Sequence, residues 1–159
     1  MLASTRPEKF TVIRTGSNDP SFRSLVAELD TDLAIRDGDD HAFYAQFNTS
    51  DRIKHVVVVM CAGVAVGCGA FKAFKDDAVE IKRMYVPPVQ RKQGIASLIL
   101  HELERWAYEL GHTRCVLETG VKQPEAIALY TKCGYRITPN YGPYIGVETS
   151  LCFEKHIRV

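Results

Sequence analysis

The chain has 159 residues, with twenty Lys and Arg against nineteen Asp and Glu and a formal charge of +1. That length suits one domain with one core, and the near-balance of charge excludes a general electrostatic pull toward nucleic acid or an anionic membrane, so any anion site must be local. No apolar run approaches the roughly 18 residues of a membrane span, and Met1 to Phe10 lacks the apolar centre of a secretory signal, so a soluble, cytoplasmic protein without nucleic-acid or membrane partners is expected.

In chain order, KFTVIR (9–14) alternates as a first strand, and SNDPSF follows with turn chemistry in which Asp19 is a candidate N-cap before Pro20. Phe22, Leu25, Val26, Leu29, Leu33 and Ile35 then recur at three- and four-residue steps up to the RDGDD break, which predicts a helix with one buried face. HAFYAQFN (41–48) reads as a second, short helix. From residue 54 the character changes. KHVVVVM, AVGCGAFKAF and AVEIKRMYV are β-branched or alternating runs split by Ala-Gly and by Asp76-Asp77, an antiparallel meander.

After Gln93 a helical stripe of Ile95, Leu98, Ile99, Leu103, Trp106 and Leu110 stops at Gly111. TRCVLET (strand), PEAIALYTKC (helix ending at Gly134), YRI (strand) and a strand near TSLCFEKHI complete the chain. The strand, helix, strand passage across residues 79–118 predicts a crossover, hence a mixed, partly parallel sheet. The five cysteines, at 61, 68, 115, 133 and 152, form no C-x-x-C pair and cannot all pair within the chain. They read as reduced packing residues, and no metal site is assigned; a catalytic thiol would need a histidine that only the fold could supply.

The window VPPVQRKQGIAS (86–97) sets a cationic loop against a helix opening. Such an opening leaves backbone N–H groups without internal partners and carries partial positive charge, which suits phosphate. Gly94 lets the backbone approach a ligand closely, and Arg91 and Lys92 add mobile positive charge; the plain alternative is a basic surface loop. Neither G-x-G-x-x-G nor G-x-x-x-x-G-K-[ST] is present, so dinucleotide and P-loop readings drop out.

Arg91-Lys92-Gln93-Gly94-Ile95-Ala96 resembles the R/Q-x-x-G-x-G/A acyl-CoA pyrophosphate loop of the GNAT acetyltransferase superfamily. QPEAIALYTKCGY (123–135) resembles that family's N-x-x-A-x-x-L-Y-x-x-x-G-F/Y helix, with Ala126, Leu129, Tyr130, Gly134 and Tyr135 in place and Gln123 where asparagine is usual. The resemblance covers roughly residues 56–137. It implies an α/β (α+β) fold, a single GNAT domain over 1–159 with a mixed, mostly antiparallel sheet of about six to seven strands flanked by about four helices.

By this resemblance the cosubstrate is acetyl-CoA. Residues 91–96 hold its pyrophosphate through backbone amides, and Ser97 adds a hydroxyl. Met84 and Val86 lie on the strand that pairs with pantetheine, Gln123 offers its amide to the same arm, and Lys132 meets the 3′-phosphate or stays solvated. The activity implied is direct attack by a primary amine of a small molecule, amino acid or peptide terminus. A non-catalytic acyl-CoA-binding regulatory module is the alternative, and a homodimer is carried as a candidate assembly.

Glu80 stands where several family members carry a general base, with a salt bridge to Lys82 as its structural alternative; Glu118 is the rival base. From an amine of pKa ~10.4 to a carboxylate of ~4.3, direct transfer is uphill by about 8 kcal/mol, so burial must raise the carboxylate or a water must relay the proton. Tyr130 occupies the general-acid position or else is a half-buried core residue. A backbone N–H near Met84 or Tyr85, at an expected bulge, faces the developing oxyanion. Acceptor choice is assigned to residues 22–48 and 139–150. There Tyr141 and Tyr144 either enclose an amine or pack the last hairpin, and His41, Tyr44 and Phe47 form a lid or a buried helix face.

Overall fold

The computed structural model describes residues 9–47 and 52–158; Asn48, the last residue of the second predicted helix, and the stretch before Lys9 lie outside them. Strand β1 (Phe10–Thr15) leads into helix α1 (Pro20–Asp37) and the five-residue α2 (His41–Ala45). Strands β2 (His55–Cys61), β3 (Val64–Ala73) and β4 (Ala78–Tyr85) form the meander. Helix α3 (Ile95–Glu109) crosses to β5 (Arg114–Gly120), followed by α4 (Pro124–Lys132), β6 (Arg136–Thr138) and β7 (Ser150–His156). The seven strands make one sheet in the order β1-β2-β3-β4-β5-β7-β6, antiparallel throughout except for the parallel β4–β5 pair. This is the mixed sheet expected from the crossover.

Local chemistry explains the entry to α1. The Asp19 carboxylate accepts from the Phe22 N–H at 3.1 Å while the Thr15 hydroxyl donates to its other oxygen at 3.1 Å, and Pro20 fills the first helical position. Phe22, Leu25, Val26 and Leu29 are buried against Val56, Val58, Cys68, Ala70 and Tyr85 on one face of the sheet. Ile35 departs from the predicted stripe and is 76% exposed. At about 100° per residue, six positions after Leu29 carry it to the far side of the helix.

The opposite face of the sheet carries α3 and α4, whose Ile95, Ile99, Leu103 and Tyr130 pack on Val57, Val59, Phe71 and Ile81. Because α1 covers Val56 and Val58 while α3 covers Val57 and Val59, the unbroken valine run of β2 is buried on both sides, as an interior strand requires. Leu110, predicted in the α3 stripe, is instead the half-exposed C-cap just before Gly111.

Candidate active site

Two features open the middle of the sheet. First, β4 and β5 pair only from Ala78–Arg114 to Glu80–Val116; beyond that step β4 runs on to Tyr85 and β5 to Gly120 without pairing, so the strands part. Second, Cys68 faces Tyr85 and Ala70 faces Lys82, so Gly69 alone stands opposite both Arg83 and Met84. This is a β-bulge in β4, with Arg83 held at φ 60°. Gly69 is needed there: a Cβ would lie 2.5 Å from the Met84 sulfur and 2.8 Å from Ile99 Cγ2. The bulge takes in Met84, one of the two residues singled out for the oxyanion, with Arg83 and not Tyr85 as its other member; nothing in VEIKRMYV announces it.

On the α3–α4 side of the opening lies a groove of 440 Å³, walled by Met84, Tyr85 and Val86 at the exit of β4, by Arg91, Lys92 and Gly94 to Ser97, and by Gln123, Tyr130 and Lys132 of α4. Lys92 (φ 68°) and Gly94 (φ 80°) both take left-handed backbone, a form that gathers successive N–H groups into an anion-binding concavity. Gly94 is the N-cap of α3 and supplies no side-chain cap, so the first-turn N–H groups of α3 meet the groove without an internal partner. A Cβ on Gly94 would touch nothing; the glycine serves the backbone angle.

One side chain of the loop differs from the expectation: Arg91 is tied down, its Nε donating to the Val86 carbonyl at 2.8 Å and bracing the loop against the end of β4. Gln93 Nε2 donates to the Gln90 carbonyl at 3.2 Å. Ser97 Oγ lies 3.6 Å from Cys133 Sγ. Lys132 is exposed at the groove edge. Across the groove Arg36 bridges Glu125 at 2.8 Å and Asp32 at 3.4 Å, tying α1 to α4.

On the α1–α2 side lies a smaller cavity of 110 Å³ lined by Glu80, Lys82, Arg83, Glu118, Asp37 and Tyr44, among others. Leu29, Met84, Gln123, Ala126 and Tyr130 line both spaces, so groove and cavity meet at the opening of the sheet. Glu80 is 6% exposed and accepts from the Tyr141 hydroxyl at 2.8 Å. The salt bridge to Lys82 is not formed: the Lys82 ammonium donates instead to the Phe47 carbonyl at 2.6 Å. Burial pulls the Lys82 pKa below its ordinary value, against the opposing pull of Glu80.

Glu118 differs from Glu80. Its Oε2 is buried with no hydrogen-bond partner, and burial raises the carboxyl from 4.5 to about 7 even though Ser150 and Lys82 act in the other direction. Tyr130 is buried, its ring packed 5.8 Å from Tyr135 and 6.1 Å from Phe153. Burial first, then the Glu118 charge, push its phenol further above its ordinary value, which keeps the proton on oxygen.

Tyr144 stacks edge-on with Phe47 and Tyr141, and the Tyr44 hydroxyl lies 2.6 Å from Thr149 Oγ1 and 2.8 Å from Ser150 Oγ. The aromatic residues at 44, 47, 141 and 144 thus form one cluster where α2 meets the final hairpin, and its Tyr44 and Tyr144 line the cavity. Phe47 and Tyr141 stand behind them, and His41 is not in the lining. Burial lifts the thiols of Cys68 and Cys115 to about 12 and of Cys152 to about 11, so these are packing residues and not nucleophiles.

Sequence reasoning passed over Asp37 and Arg83. Arg83 had a signal: it is the second of two adjacent cations in a strand whose other side chains alternate, and the bulge is what turns it inward beside Lys82. Its guanidinium is 1% exposed and pairs with Asp30 of α1.

The model of the Acetyltransferase (GNAT) family matches residues 20–135. Over 100 residues the chain is 38% identical to the IAA acetyltransferase of Azospirillum brasilense, an alignment covering 62% of this chain and 65% of that protein, so the chain spans just under two thirds of that relative. A Klebsiella pneumoniae protein assigned as an acyl-CoA N-acyltransferase has a TM-score of 0.77 at 30% identity, covering 92% of this chain and 97% of that one. The PaiA N-acetyltransferase of Thermoplasma acidophilum, solved with coenzyme A, has a TM-score of 0.69 at 14% identity over 93% of this chain and 99% of that one, a likeness of fold alone.

Proposed function

The chain belongs to the GNAT acetyltransferase family, and from that premise we propose that it moves an acetyl group from acetyl-CoA to a primary amine by direct attack in a ternary complex. The observation that carries this reading is the junction of two spaces at the gap between β4 and β5, a long groove ending on free helix-start amides and a small cavity holding carboxylates. Acetyl-CoA would supply the thioester and the diphosphate that anchors it. The residues present fit it: the left-handed backbone at Lys92 and Gly94 and the uncapped first turn of α3 suit a diphosphate, while Lys92 and Lys132 add charge.

In this reading Glu118 accepts the proton of the incoming ammonium. With its carboxyl raised to about 7, the gap to an amine of pKa ~10.4 shrinks from about 8 to about 5 kcal/mol, which attack on the thioester can draw forward. Glu80, held by Tyr141, fixes charge at the cavity floor. Tyr130 remains a neutral phenol and donates a hydrogen bond to sulfur as negative charge develops there. A main-chain N–H freed by the bulge at Arg83–Met84 faces the carbonyl oxygen.

The test is thiol release from acetyl-CoA over a panel of amines, amino acids and short peptides, with Glu118→Gln and Glu80→Gln beside the parent protein. Transfer to at least one amine, lowered more by Glu118→Gln than by Glu80→Gln, supports the reading. Binding of coenzyme A without transfer to any amine replaces it with a non-catalytic acyl-CoA-binding module.

A further inference from the structure

The small cavity is unevenly satisfied. Of its carboxylates, Glu80 already receives the Tyr141 hydroxyl, whereas Glu118 has an Oε2 without a hydrogen-bond partner and Asp37 forms no ion pair among the described residues. Of its cations, Arg83 spends a terminal nitrogen on Asp30, yet its Nε is buried and unpartnered. Lys82 is held by one main-chain carbonyl, and no ion pair to it forms among the described residues. Lys82 and Arg83 stand on β4, Glu118 on β5 and Asp37 at the end of α1, so side chains of both signs line one space at the gap.

Unpaired buried charge is costly, and breaking up one partner of a buried pair costs more than the pair is worth. A cavity lined by two carboxyls without an ion pair, Glu118 and Asp37, and by Lys82, likewise without one, is therefore complementary to a molecule carrying both signs close together. We propose that the acceptor is a small zwitterionic amino acid, its ammonium directed to Glu118 and Asp37 and its carboxylate to Lys82. The volume, 110 Å³, suits a small acceptor. Leu29 and Leu33, from the buried side of α1, meet a short apolar side chain. A simple amine would leave Lys82 without a counter-charge, and a diamine, the rival that Asp37 would favour, would bring its second cation into the space beside Lys82 and Arg83.

This inference rests on the reading of the site as an acetyltransferase, and its test separates the two. L-Alanine, L-alaninamide, ethylamine and 1,3-diaminopropane are compared as acceptors at equal concentrations of neutral amine. In parallel, L-alanine and ethylamine are titrated calorimetrically into the coenzyme A-loaded protein. The proposal expects kcat/KM for alanine at least tenfold above each of the other three, since a site built around a charged group rejects analogues lacking it. It also expects heat of binding for alanine and none for ethylamine. Lys82→Met should lower the alanine-to-ethylamine ratio of kcat/KM tenfold or more, and Lys82→Arg should recover part of it. Equal use of alaninamide or ethylamine, preference for the diamine, or an unchanged ratio in Lys82→Met overturns the proposal while leaving the acetyltransferase reading in place. Alanine binding without any transfer sinks the acetyltransferase reading and keeps the zwitterion site; absence of both binding and transfer sinks the zwitterion site.

Discussion

Replacing Glu118 by glutamine should stabilise the protein above neutral pH and weaken it as a catalyst. The folded chain holds the Glu118 proton up to about pH 7, whereas its ordinary value is 4.5. Below pH 4.5 the folded and unfolded chains are both protonated and no charge is buried. Between these values the folded chain keeps a proton that the unfolded chain has released, so stability falls as pH rises, and above about pH 7 the whole penalty is present. A difference of about 2.5 units at 1.36 kcal/mol each sets that penalty at roughly 3 kcal/mol.

Glutamine fills the same space without ionising, so its advantage over glutamate should grow from pH 5 to pH 8 by about 1–3 kcal/mol. For a chain of this length that is roughly 2–12 °C in Tm. Urea denaturation of both proteins at pH 5 and pH 8 measures it, because other titrating groups cancel in the difference. The same carboxyl must be ionised to take a proton, so parent activity should rise with pH through about 7, and that limb should be absent from the variant. A stability difference that is flat with pH, or that favours glutamate at pH 8, would refute the reasoning.

Further outcomes follow from the same geometry. Tyr130→Phe should lower kcat by ~10² or less under saturating acetyl-CoA, since only a hydrogen bond to sulfur is lost; single-turnover kinetics with chemistry rate-limiting checks it. Gly69→Ala drives a methyl into the Met84 sulfur and Ile99, and should destabilise by about 1–3 kcal/mol in urea titrations. Gly94→Ala meets no atom but must hold φ at 80°, costing about 1–2 kcal/mol, and should weaken coenzyme A binding severalfold by calorimetry.

Much of the architecture was legible because periodicity and punctuation agree. The Asp19 cap, the doubly buried valine run and the stop glycines at 111 and 134 each locate an element boundary to within two residues, whereas α2 ends earlier than its aromatic pattern predicts. The diphosphate loop was legible because its chemistry is local: one glycine before an apolar stripe fixes where the free amides lie. The partners of the acidic residues were not legible. Lys82 follows Glu80 on the same strand face, and same-strand spacing favours a pair. The tertiary fold brings Tyr141 from the last hairpin to Glu80 and the Phe47 carbonyl from the end of α2 to Lys82.

The bulge escaped for a related reason. Arg83 has no intrinsic liking for left-handed backbone and is held there by the mismatch between β3 and β4, by its pairing with Asp30, and by the contact of its carbonyl with the Cys68 thiol. The contrast between the two glutamates depends on burial of a single oxygen, which no spacing encodes.

A crystal structure of the protein with coenzyme A tests the central claim most directly. The account predicts the diphosphate within hydrogen-bonding distance of main-chain N–H groups between Lys92 and Ser97, with the thiol at the gap between β4 and β5 beside Tyr130. A diphosphate held elsewhere on the surface, or a thiol directed away from that gap, would contradict it.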